Sequence, residues 1–244
     1  MNIKHLNLRK QYKVRSIFRI LVLCYTIIMM YFVNPHSLSV LDGYNFFRGF
    51  SWLHVIWMIA VVSMLLQVIP TKGLFSIGST KHFKVFFKST KRIPTKEEFK
   101  ALFKKGSLNA LKMLVIWIAL IAVIGILWAK DILAERELLL ISVVFYVLDL
   151  LFVLYWCPIR AWILKNRCCS TCRIFNWDHM MMFSPLIFIK GFFSISLFAM
   201  SIVNFLVWEI RFFLYPERFF EETNALLQCH NCKDKLCGNI NHTV

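Results

Sequence analysis

Between Ala110 and Trp128 the chain reads ALKMLVIWIALIAVIGILW, nineteen residues with one charge, Lys112. A helix of roughly 20 apolar residues crosses the hydrocarbon core of a bilayer. Continuous rather than alternating apolarity selects a helix over a barrel strand, because only those two structures satisfy their own backbone groups in lipid. Four further stretches have the same character, at about 17–33, 52–69, 138–156 and 191–213. Composition agrees: hydrophobic residues are 59% of 244 and charged residues 17%, against roughly 25% charged in soluble domains. Mean hydropathy is +0.62. The expected fold is an all-α integral membrane protein: a bundle of about five transmembrane helices in residues 1–213, then a short Cys-rich tail, 214–244.

The first stretch follows Lys10, Lys13, Arg15 and Arg19 and could imitate a secretory signal. No small-residue cleavage pattern follows, since the chain continues Tyr31, Phe32, Val33, Asn34, Pro35, so an uncleaved anchor is expected. Cations are placed unevenly. The N-terminal segment and the 70–109 connection are strongly basic, whereas 34–51 offers only Arg48, and 129–137 sets Lys130 and Arg136 against three acids. The positive-inside rule therefore predicts a multi-pass protein of the cell membrane with a cytoplasmic N-terminus, a cytoplasmic 70–109 loop and a cytoplasmic 157–182 loop.

A formal net charge of +16 invites a nucleic-acid reading. These cations flank membrane spans and no nucleic-acid motif accompanies them, so anionic lipid headgroups are the expected partner. Thr95 and Glu98 form a capping box after Pro94, and Phe99, Leu102 and Phe103 share one face beside Lys96, Lys100, Lys104 and Lys105. This pattern predicts a short amphipathic helix lying on the inner membrane surface, or simply a basic loop that sets topology.

Seven of the eight cysteines fall into two groups; Cys24 lies alone in an apolar helix. Cys157, Cys168, Cys169 and Cys172 supply four sulfurs in sixteen residues, with Arg160, Lys165, Arg167 and Arg173 nearby to favour thiolates. Cys229, Cys232 and Cys237 follow a Cys-x2-Cys-x4-Cys spacing, with His230 inside the run and His242 after it. Such spacings suit a tetrahedral zinc ion or an iron-sulfur cluster. One of the adjacent pair Cys168 and Cys169 is expected to face elsewhere. Five full crossings put the two groups on opposite faces. The 180–213 region is longer than one span needs and is interrupted by Pro185, Lys190 and Gly191, so a re-entrant arrangement that returns the tail to the cytoplasm stays open.

Asp149 lies over halfway along the fourth stretch among Val147, Leu148, Leu150 and Leu151, where a carboxylate needs a partner, and Lys190 is the candidate. Gln67, His54 and Glu209 sit near span ends and read as interfacial. Trp177 reads as an interfacial anchor, and Asp178 and His179 as metal ligands or their hydrogen-bonding partners. Phe219 to Leu227 is expected to form a short interfacial helix. No phosphate loop, nucleophile elbow or His-Glu-x-x-His pair is present, so enzymatic activity has no visible carrier.

The leading expectation is a membrane-embedded metal-thiolate protein. It is an iron-sulfur component passing electrons between a redox partner protein and a membrane quinone. A scaffold with structural zinc and a lipid- or partner-docking basic loop is the alternative, and a thiol-disulfide protein a further one.

Overall fold

The computed structural model describes residues 8–33, 35–70, 79–91, 94–166 and 168–231, and these are helical, with no strand among them. Six α-helices organise the chain: α1 Leu8–Ile28, α2 Trp52–Val68, α3 Lys96–Ala129, α4 Glu135–Leu154, α5 Asp178–Phe183 and α6 Phe192–Leu214. α1 continues through a π-helical turn, Met29–Val33. Four segments are long and apolar enough to cross a membrane: Lys10–Val33, Lys96–Ala129, Glu135–Leu154 and Phe192–Leu214; α2 is apolar but has 17 residues. They mark an all-helical membrane protein.

The capping box at Thr95 is formed: Glu98 N donates to Thr95 Oγ1 (3.2 Å) and Thr95 N to Glu98 Oε2 (2.9 Å). The basic segment is nevertheless no separate surface helix. It runs unbroken into the span as one 34-residue helix, about 50 Å long at 1.5 Å per residue. No proline interrupts it, and its one early glycine, Gly106, stays helical with Phe220 against it. The expected lipid-facing side is taken by the end of α6 and the chain that follows it: Phe103 stacks on Phe212 and Phe99 packs edge-on to Phe220. Residues 219–227 form turns around these rings instead of the expected helix.

Contacts fix the directions of the helices. α1 and α4 are antiparallel, with Tyr12 against Leu150, Arg19 bonded to Asp149, and Arg136 over the Tyr31 ring. α2 and α6 run parallel: Trp57 donates to Ser196 (2.8 Å), Asn204 to Gln67 (2.5 Å) and Arg211 to the Val68 carbonyl (3.1 Å). Parallel neighbours require a return traverse between α4 and α6. α5 and the 3-10 turn Ser184–Phe188 supply it, enclosed by protein along much of their length. Ser184 receives a hydrogen bond from Trp117 midway along α3, and Phe188 stacks on Trp128 near its end. Irregular backbone at such depth is tolerated where protein surrounds it.

The return ends in a tight junction. Gly43 N donates to Lys190 O (3.0 Å), and Phe192 N donates to Gly43 O (2.8 Å). A Cβ on Gly191 would stand 1.6 Å from the Leu41 carbonyl oxygen, so only glycine fits. The opposite end of the bundle gathers the start of α3, the 79–91 segment, the 157–177 loop and the chain beyond α6. Thr90 N donates to Thr223 O, Ala225 N to Lys88 O, and Arg173 pairs with Glu209. The last helix therefore ends beside the loop that carries the first cysteines.

Candidate functional site

The 157–177 loop is pinned to α6 by a forked ion pair. Arg173 donates to both Glu209 oxygens (2.8 and 2.5 Å), Trp177 Nε1 adds a third bond (2.7 Å), and the guanidinium lies 3.5 Å from the centre of the Phe212 ring. Two sequence expectations change here. Trp177 is buried at 3% exposure, packed against Phe205, and is not an interfacial anchor; Glu209 is the loop's clamp.

Three of the four loop cysteines share one place. Cys157, Cys169 and Cys172 line a mainly apolar cavity of about 420 Å³ between α3 and α4, while Cys168 is buried and lines no part of it. All four are free thiols. The Cys169 thiol is hydrogen-bonded to Cys157, and the Arg160 backbone N–H donates to Cys157 Sγ (3.4 Å). The bond from Cys169, aided by backbone N–H groups and the Arg160 charge, pulls Cys157 down to about 6 despite burial. The same bond, with burial, pushes Cys169 up, and burial pushes Cys172 up to about 12. One ready thiolate thus sits among protonated neighbours.

Among the described residues no three His, Cys, Asp or Glu side chains converge closely enough to hold a metal ion. The Cys229 side chain, Cys232, Cys237 and His242 lie outside the described residues. His230 is exposed and lines a wide basic cleft with Lys88, Lys91 and Lys105, apart from the first cysteine group.

A second site lies beside the first. Asp149 does not pair with Lys190, which is exposed at the far end of the bundle. Its partner is Arg19, with Nη1 2.7 Å from Oδ2. Arg19 also donates to the Tyr146 carbonyl (2.6 Å) and lies 4.1 Å from that ring's centre. Across from this pair, Gln67 is buried rather than interfacial. Its Nε2 donates to Asp178 (2.9 Å), and its Oε1 accepts from Asn204 (2.5 Å) and His179 Nδ1 (2.8 Å). His179 Nε2 meets Ser63 Oγ at 3.1 Å. His54, also expected at an interface, caps α2: Ser51 N donates to its Nδ1 (2.9 Å).

Arg19, Asp149, Asp178, His179, Ser63 and Gln67 border one cavity of about 500 Å³. Asp149, Val153, Phe175 and Asp178 line it and the cysteine cavity alike, so these four side chains separate the two. Sequence reasoning picked out Asp149 but missed Arg19, Ser63 and Asn204. The signal for Arg19 was its place after Ile17 and Phe18, inside an apolar run rather than before it. Comparison with protein-family models, with curated proteins and with solved structures finds no match to this chain. The fold and the two cavities define an all-helical membrane protein with three thiols at one cavity next to a half-open chamber edged by charged and polar side chains.

Proposed function

We propose that the protein is a membrane-embedded thiolate redox component, which takes electrons at its cysteine-bearing end and passes them to a carrier dissolved in the bilayer. The observation that carries this reading is the gathering of Cys157, Cys169 and Cys172 at one apolar cavity, with one thiol pulled down to about 6. The cysteine-bearing end is cytoplasmic in this reading, because the basic N-terminal helix, the 79–91 segment and the 157–177 loop all lie there. The short traverse through α5 is then a sixth crossing.

The centre is a metal-thiolate site in the first form of the proposal. Cys157, Cys169 and Cys172, drawn together from their separate places on the cavity wall, supply three sulfurs, and an iron-sulfur cluster is completed by Cys229, Cys232 or Cys237 from a tail that leaves α6 at the same end. The second form is thiol-disulfide exchange, favoured by the Cys157–Cys169 hydrogen bond. There the Cys157 thiolate and the Cys169 thiol lose two electrons and one proton and form one S–S bond, while the carrier gains the two electrons, that proton and a second proton from water.

Anaerobic purification of the full chain, with assay of iron, zinc, acid-labile sulfide and free thiols, tests the proposal. Iron with matching sulfide and a visible band lost in a Cys169→Ser, Cys172→Ser variant is expected for the cluster. A Cys157–Cys169 disulfide that forms and reduces reversibly, without metal, is expected for exchange. Colourless zinc and thiols inert to oxidant would contradict both and favour a scaffold.

A further inference from the structure

The polar chamber carries fixed charge of both signs, and that balance restricts its occupant. Arg15 and Arg19 face Asp149 and Asp178 around it, so an anionic headgroup gains no net attraction. Burying an uncompensated charge inside a membrane protein is costly, which favours a neutral polar head. Beyond the bonds they make to one another, the walls offer donors in Arg19 and the second amide hydrogen of Gln67, and acceptors in Asp149 and Asp178. A ligand whose oxygens accept hydrogen bonds in one state and donate them in another meets partners in both states.

The chamber also extends into apolar surroundings. A narrow cavity of about 60 Å³ adjoins it, sharing Phe18, Ile59, Ser63, Tyr146 and His179 and continuing among Val22, Val143 and Leu197. Met58 and Val62 on its rim are exposed on the α2 surface, which gives entry from the side. At about 500 Å³ the chamber is large enough for a small ring, within the roughly 300–1,000 Å³ usual for ligand sites.

We infer that this chamber binds the head of a lipid-soluble quinone, with its tail leaving through the rim at Met58 and Val62. The inference rests on the redox reading above and names the site of its carrier. In the exchange form, closing the Cys157–Cys169 bond delivers two electrons and one proton, and water supplies the second proton, so that the quinone becomes the hydroquinone; in the cluster form the two electrons arrive in successive steps and water supplies both protons. His179 braces the chamber wall: its Nδ1 donates to Gln67 Oε1 (2.8 Å), and its Nε2 meets the Ser63 hydroxyl (3.1 Å), which reaches the Ala60 carbonyl (2.7 Å).

The test is photolabelling of the full chain in nanodiscs with an azido-quinone, mapped by mass spectrometry and competed by decylubiquinone. Label is expected on residues 12–19, 58–67 and 146–153. It should fall at least tenfold in Val62→Trp, which fills the chamber from its rim, with unchanged elution and thiol count. Label spread equally over lipid-facing helices in wild type and Val62→Trp, or confined to the cysteine cavity, would overturn the assignment. Specific label with a redox-silent cysteine centre keeps the quinone site and sinks the electron-transfer reading; an active centre with no specific label does the reverse.

Discussion

Replacing Asp149 with leucine removes the counter-charge of Arg19 while leaving its bonds to the Tyr146 carbonyl and ring. Two magnitudes compete. Breaking a buried ion pair by removing one partner costs about 3–5 kcal/mol, whereas hydrogen bonds inside membrane bundles average about 0.6 kcal/mol. Here the side chains are 18% and 28% exposed and border a cavity roomy enough for water, so the orphaned guanidinium is partly solvated. The expected loss is about 2–3 kcal/mol, between those limits. Arg19→Met combined with Asp149→Leu leaves no orphan and should lie within about 1 kcal/mol of wild type. Denaturation of the four proteins by SDS in mixed micelles measures the cycle. Strict additivity, with the double variant as damaged as the sum of both singles, would refute the pairing and its role in joining α1 to α4.

Three other outcomes are expected. Alkylation of Cys157 by iodoacetamide, followed by mass spectrometry, should lose half its rate as pH falls through about 6, with Cys172 unreactive at neutral pH; Cys169→Ala should move the Cys157 midpoint up toward about 8.5. Gly191→Ala should destabilise by about 3 kcal/mol or more, because the new Cβ meets the Leu41 carbonyl, while Gly49→Ala, with open space around it, should stay within about 0.5 kcal/mol. His82, stacked on Phe219 and held down to about 4 by burial, is neutral at pH 7. The unfolded chain takes up this proton near pH 6.5 and the folded chain only near 4, so stability should be full above 6.5 and fall by about 3 kcal/mol on going down to 4. His82→Phe should flatten that part of the profile measured by thermal unfolding.

The long helices were legible because lipid demands unbroken apolar runs. All five stretches lie on helices, and the Thr95–Glu98 cap marks a true helix start. The α5 return was legible only as the re-entrant alternative that Pro185, Lys190 and Gly191 left open. Asp178, His179, Ser184, Pro185 and Lys190 depress its hydropathy; α2, α3, α4 and α6 enclose the first four, and Lys190 is exposed at its end. Hydropathy reports contact with lipid, and this segment has little. The Lys190 pairing failed because the return carries that lysine to the opposite end from Asp149. Proximity of Cys157 to Cys169 could be expected from spacing. That one of the adjacent Cys168 and Cys169 turns away was expected; which of them does so is set by the turn Cys169–Thr171.

Anaerobic coulometric titration of the purified full chain, counting electrons taken up and returned, tests the redox centre at Cys157, Cys169 and Cys172 most directly. Reversible uptake that disappears in Cys157→Ser, with the variant still folded, is the predicted result. A wild-type protein that exchanges no electrons across the range of membrane quinones would contradict the account.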